Sequence, residues 1–355
     1  MSHLTRITVA AALVAVMAVV APGASQAQAK KAELHLVIGT AYGAKIAQNH
    51  LFRWIVKPRL IQYSGGRISV DLQQQNKLCS EHKCIEQVQL GQIDIGVASS
   101  GNMGAFGNTF DTNFLPYLFK TDSYAAKIVD VRNSWYGKEL RARVRKEMNL
   151  HLLATVVGGG FRSLDNTVRE VRVPKDLKGI KIRVTKSPVE FSMIKDWGAI
   201  PVPYDWGQLY EGLQSGVVQG MYIPHLFTAL RKFHEVTPYI TETGGGMVLL
   251  NTSMSTKRYD SLPKWAQDVI EKVFTDFHAE NLPVDRLASA QAVEILESQA
   301  KIYRPTDAEY ALWESAAPKS WLKVKGRYRP ETVIRLLEEQ GSTKFLAALK
   351  EVGAL

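Results

Sequence analysis

The sequence predicts an α/β protein of two lobes. Three observations carry that prediction. At 355 residues the chain exceeds what one hydrophobic core usually serves. Short apolar strands alternate with helical segments, the pattern of parallel sheets covered by helices. That pattern restarts after three consecutive glycines, Gly158 to Gly160.

Leu34–Gly39 is an apolar strand, followed by a helical segment over 44–63 that Pro58 is expected to kink or break. A Ser64-Gly65-Gly66 turn leads into an alternating strand, Arg67–Gln73. Ile85–Leu90 is a short helix ended by Gly91, Ile93–Ala98 is a third strand, and Ser99–Asn102 is a loop. One long helix is expected over Ser123–Met148, then an apolar strand, His151–Val157. The three glycines that follow suit a hinge between domains. A phosphate loop is the weaker reading, because the Walker Lys-Ser/Thr is missing. Residues 173–224 pack a turn, a strand, a helix, a second strand and a second helix. Gly245–Asn251 is another strand. A long helical region runs from Ser261 to Gln299, with Pro263 near its first turn and a kink at Pro283. Helices fill the tail, including Glu331–Gln340 and Lys344–Val352. The chain thus begins one lobe, builds a second, returns to the first and finishes in the second. The expected division is 30–157 with 247–285 for lobe I, and 158–246 with 286–355 for lobe II.

The first 29 residues resemble a secretory leader. Arg6 precedes an apolar run over 7–21, and Ser25-Gln26-Ala27 and Ala27-Gln28-Ala29 are small-x-small cleavage sites. The run is short for a membrane span. The expected product is a soluble, exported, periplasmic protein. The formal net charge of +10 is a weak pointer to anionic ligands. The densest basic patch, Arg141–Lys146, suits a solvated helix face, and an exported protein has little access to nucleic acid. Cys79 and Cys84 favour a disulfide, which export permits. With His82 they also offer three metal ligands, but no clear fourth ligand and no C-x2-C spacing accompany them.

In Lys181-Ile182-Arg183-Val184 strand alternation sends Ile182 and Val184 to one face and Arg183 to the other. That guanidinium faces either open water or a cleft. In a cleft its planar fork matches a carboxylate. No catalytic or cofactor pattern competes with this reading. G-x-S-x-G and H-E-x-x-H are both missing, His225 and His234 lack metal-ligand spacing, and Asp94 and Asp205 are lone carboxylates. The expectation is a binding protein with neither enzymatic activity, cofactor nor metal.

Several separate segments resemble one family. They are D-L-K-G-I-K-I-R-V, G-A-I-P-V-P and L-Y-E-G-L-Q-S-G-V-V-Q-G within 176–220, C-I-E-Q-V-Q-L-G-Q-I-D-I-G-V at 84–97, F-L-P-Y-L-F-K-T at 114–121 and S-L-P-K-W-A-Q-D-V-I at 261–270. Together they are similar to the solute-binding subunits of TRAP transporters, the DctP type. The resemblance implies a two-lobed, periplasmic binding protein type II-like fold, with a ligand cleft between lobes and a long helix spanning both. It implies that Arg183 clamps the carboxylate of an organic acid, with Arg162 as a second arginine; a hinge-surface salt bridge is the other reading of Arg162. It also implies two partners, the small and large integral membrane subunits. A periplasmic sensor module is the alternative, since its sequence would look the same.

The family's D-G-Q-E-N-P helix cap stands here as Gln219-Gly220-Met221-Tyr222-Ile223-Pro224. With Ile223 in the asparagine position, sugar acids and dicarboxylates are disfavoured. Tyr222 and Ile223, with Phe161, Trp206 and His225 as expected neighbours, suit a flat aromatic or branched apolar acid. From the first lobe, Tyr42, Ser100 and Asn102 lie on loops after strands, where α/β sheets bind ligands.

Overall fold

One 17-residue strand, Leu150–Asn166 (β4), joins two halves of a ten-stranded sheet. The computed structural model describes residues 32–43 and 50–355. The expected leader, and the start of the helical segment over 44–63, lie outside the described residues. The first half holds Leu34–Thr40 (β1), Ile68–Gln73 (β2) and Ile95–Ser99 (β3), all parallel. The second holds Lys181–Val184 (β5), Ile200–Pro203 (β6) and Gly220–Pro224 (β7), also parallel. Tyr239–Thr241 (β8) pairs with β4. Met247–Ser255 (β9) returns antiparallel between β3 and β4. A short Lys301–Tyr303 (β10), not foreseen from sequence, pairs with β8.

β4 changes partner midway. Through Phe161 it pairs with β9, and from Arg162 onward with β7. The three glycines sit at this handover. The strand expected to end at Val157 continues through them, so they form an irregularity inside a continuous strand, with a register break between Val157 and Phe161. Gly159 and Gly160 take φ of +80° and +77°. The Gly159 N–H donates to both carboxylate oxygens of Asp285, at 2.8 and 3.0 Å. A Cβ on Gly159 would stand 3.0 Å from Pro224 Cβ and 3.1 Å from Leu226 Cβ, while one on Gly160 would meet nothing within 4 Å. Gly160→Ala should therefore cost only left-handed strain, roughly 1 kcal/mol. Gly159→Ala should cost that and a clash, roughly 2–3 kcal/mol in urea unfolding. Equal stability of the two variants would refute this account.

Other elements depart from expectation for local reasons. The helix expected over Ser123–Met148 is two, Asp122–Ile128 and Trp135–Met148. Between them the Asp130 carboxylate accepts the N–H groups of Arg132 and Asn133, and Ser134 caps the second helix by accepting from Gly137 N at 2.8 Å. The loop after β3 is a short helix, Ser100–Met103, capped by Ser99. Within residues 219–224, read as a helix cap, Gly220–Pro224 form strand β7 instead. Pro58 breaks nothing: a π-helical turn, Phe52–Val56, runs directly into the helix Lys57–Tyr63, where Pro58 occupies the tolerant first turn. The helix Lys264–Gln299 is continuous through Pro283. Its first part packs Phe274 and Phe277 against Phe52, and its last part packs Ala292 and Leu296 against Leu226 and Ile240, so it spans both halves.

The apolar core of the second half centres on Trp197, which stands edge-to-face on Tyr222 and Trp313 at 5.4 and 4.9 Å. Ile182 and Val184 point into this core. Cys79 and Cys84 form a disulfide. Its loop is short, so the chain-entropy gain is modest, about 2 kcal/mol.

Candidate functional site

Alternation along β5 decides where the central arginine goes. With Ile182 and Val184 in the core, Arg183 and the next alternate residue, Thr185, turn into a small cavity where the two halves meet. Tyr42, Glu81 and Ser99 come to this cavity from the first half, Arg162, Trp206, Ile223 and Phe227 from the second, and Val248 from β9. Its free volume is about 20 Å³, so the halves are closed on one another.

Arg183 is buried. Its Nε donates to the Tyr204 carbonyl at 3.0 Å, and the guanidinium carbon lies 5.9 Å from the Trp206 ring. Among the described residues the two terminal nitrogens have no partner. The indole N–H of Trp206 and the Nε–H of Arg162 are likewise buried and unpartnered. Three residues lining this cavity thus carry unpartnered donors, each costly to leave unsatisfied.

Arg162 is no surface residue. Its Nη1 donates to the Tyr222 carbonyl at 2.5 Å, lies 3.7 Å from Glu190, and the guanidinium stacks 4.5 Å from the Phe114 ring. Burial lowers its pKa, and the Glu190 charge opposes that shift. Glu190 is anchored in turn by Thr185, whose N–H donates to it at 2.7 Å. The first half contributes one carboxylate, Glu81, which accepts from the Ser99 N–H at 2.7 Å and the Ser99 hydroxyl at 2.6 Å. Burial first, and the Glu81 charge second, raise the Tyr42 phenol well above its usual pKa.

Of the residues singled out in the sequence, Arg183, Arg162, Tyr42, Trp206 and Ile223 meet at this cavity. Asn102 lines an outer chamber of about 210 Å³, which shares Glu81 and Trp206 with it. Ser100 is buried behind the site, bonded to Asn113 and Asn251. Tyr222 is fully buried against Trp197. Phe161 and His225 face a different cavity. Sequence reasoning missed Glu81, Thr185, Phe227 and Val248. Only Thr185 carried a signal, since it continues the alternation that singles out Arg183.

The model of the family "Bacterial extracellular solute-binding protein, family 7" (DctP) matches residues 56–326. The chain belongs to this family. A solute-binding protein of Verminephrobacter eiseniae is 30% identical over 204 residues, 56% of this chain and 58% of that one. The 2,3-diketo-L-gulonate-binding periplasmic protein YiaO of Escherichia coli is 27% identical over 212 residues, 59% of this chain and 63% of its own. This member of the family thus spans under two thirds of the length of either relative. Among solved structures, the sugar acid binding protein DctPAm of Advenella mimigardefordensis, in complex with galactonate, superposes with a TM-score of 0.80 at 23% identity. That match covers 89% of this chain and 98% of the other, and it shows the same two-lobed fold.

Proposed function

We propose that this protein captures a small organic carboxylate between its lobes and delivers it to the small and large membrane subunits of a TRAP transporter, after export to the periplasm and removal of residues 1–29. The observation that carries the reading is Arg183: a buried guanidinium with one nitrogen bonded and two unspent, facing a closed cavity. A carboxylate bound there takes two parallel charge-assisted hydrogen bonds. The Trp206 and Arg162 N–H groups are placed for its second oxygen or a substituent. Trp206, Phe227, Ile223 and Val248 form an apolar wall, which favours a monocarboxylate with an aromatic or branched apolar body over a polyol acid. We divide the lobes as 30–157 with 247–285 and 158–246 with 286–355, a reading supported by the handover in β4, with the Gly158–Gly160 stretch as the place where opening would be absorbed.

A thermal-shift screen of the mature protein tests this. Aliphatic mono- and dicarboxylates, sugar acids, 2-oxo acids and aromatic acids are compared, with Arg183→Ala alongside. A ligand that binds only the native state raises its melting temperature by mass action. The expected result is a shift by apolar or aromatic monocarboxylates in the wild type that Arg183→Ala loses. A screen in which only sugar acids respond overturns the proposed ligand body. One in which no acid responds, or the variant responds equally, overturns the carboxylate clamp.

A further inference from the structure

Phe161 and Ser163, alternate residues of β4, line a second cavity, far larger than the first at about 740 Å³, which Arg162 also borders. Its other walls come from the loop at Tyr117, the long helix at Ser289 and Val293, and the C-terminal helices at Tyr310, Glu314 and Phe345.

The charges around this cavity are unevenly spent. Arg286 holds Asp122 through two bonds of 2.7 and 2.6 Å. Arg304 pairs with Glu242 at 3.3 Å and Glu297 at 2.7 Å, and His225 lies 3.2 Å from Glu242. The Lys120 ammonium donates to the carbonyls of Gln340 and Gly341. Asp285 accepts from Gly159. Glu314 is different: among the described residues it has neither a hydrogen bond nor an ion pair. Burial first, and the Glu314 charge second, raise the pKa of the Tyr310 phenol, which places that carboxylate within electrostatic reach of the ring.

The rings beside it form a wall. Tyr117 stands 5.9 Å from Tyr310, at 87°, and 6.1 Å from Phe345. Gly244 and Gly245 let the two tyrosines lie against the backbone, since a Cβ would stand 2.7 Å from the Tyr310 hydroxyl and 3.0 Å from the Tyr117 ring. Two wall hydroxyls, of Ser289 and the buried Ser342, have no partner among the described residues. Aromatic faces carry negative potential and attract organic cations. A lone carboxylate beside them adds a full countercharge. The basic groups on the cavity walls are all tied into the fold, Arg286 and Arg304 to carboxylates, Lys120 to two carbonyls and Arg162 to the Tyr222 carbonyl, whereas Glu314 is held by nothing among the described residues. A hard metal ion would lack the several oxygen ligands it needs.

We propose that this second cavity binds an organic ammonium ion, with Glu314 as countercharge, Tyr117, Tyr310 and Phe345 as the aromatic wall, and the Ser289 and Ser342 hydroxyls for the ligand's polar end. Glu314 and the aromatic wall lie outside the carboxylate cleft, with which this cavity has Arg162 in common, and Arg183 is not part of it.

Calorimetric titration of the full chain with choline chloride, against sodium chloride, tests the proposal. Wild type should bind choline saturably. Glu314→Gln, which breaks no bond in the fold, should weaken binding by about tenfold. Val293→Trp, which fills the cavity, should abolish it. Arg183→Ala should bind choline as wild type does. No saturable heat in wild type, or equal binding by Glu314→Gln, overturns the proposal. Loss in Arg183→Ala overturns it too, because choline would then occupy the cleft.

Discussion

Arg183→Ala should weaken binding of the carboxylate ligand by roughly 30-fold or more, equivalent to about 2 kcal/mol or more. The alanine removes both unspent nitrogens and leaves the ligand's carboxylate desolvated without a countercharge. Most of the loss should appear as faster dissociation, since the contact is buried. Arg183→Lys keeps the charge but loses the planar fork and the bond to the Tyr204 carbonyl, so it should fall between the two. The fold should tolerate both changes, because the arginine's one bond is to a carbonyl at the cavity edge. Calorimetry with the acid found in the screen measures this. Wild-type affinity in Arg183→Ala at unchanged melting temperature would remove the arginine from the site.

Glu271→Gln should produce the second large effect, on stability. From the long helix, Glu271 lies 2.8 Å from Arg132, 2.9 Å from His151 Nε2 and 3.0 Å from the Tyr259 hydroxyl, and it pairs with Arg141 as well. His151 stacks on Tyr259 with centroids 3.4 Å apart. Much of the basic patch Arg141–Lys146 thus turns inward or pairs locally rather than standing free in solvent: Arg145 bonds Asp260, and Arg143 bonds Glu147. Burial raises the Glu271 pKa, but His151, Arg132 and Arg141 together outweigh it and hold the carboxyl far below the usual range. Neutralising it strands Arg132, whose own pKa burial lowers. Breaking a buried pair costs about 3–5 kcal/mol, and partial exposure of this one places the expected loss near the low end, about 3 kcal/mol.

The sign of the pH dependence follows from linkage. Glu271 has a depressed pKa in the folded state, so its contribution is present above the unfolded value of about 4.3 and is lost as pH falls through the folded value. The stability gap between wild type and Glu271→Gln should be widest near neutral pH and narrow progressively as pH falls below about 4. Urea unfolding at several pH values reads the gap directly. A gap that stays constant into acid would assign the loss to packing rather than to the charge.

Much of the fold was legible because its signals are local. Apolar runs, turn glycines and helix caps act within a few residues, and β1 to β3, β5, β9 and the long C-terminal helices stand close to where those signals put them. Misreadings occurred where a short polar side chain redirected the backbone, as Asp130 does between two helices, or where long-range pairing carried a strand past its expected end, as β9 and β7 do for β4 beyond Val157.

Sequence by itself determined the two-lobed α/β architecture and the face of β5 that carries Arg183, because a period of two is a property of the strand alone. Tertiary structure alone decided which cavity each side chain reaches. Phe161 and Arg162 are adjacent on one strand, yet only Arg162 reaches the cleft, because partners from distant parts of the chain cover the two faces. Glu81 reaches the cleft only because parallel pairing of β1 with β3 brings Tyr42 and Ser99 beside it. Contacts of that kind are set by how the sheet halves pack, and no local pattern in the chain records them.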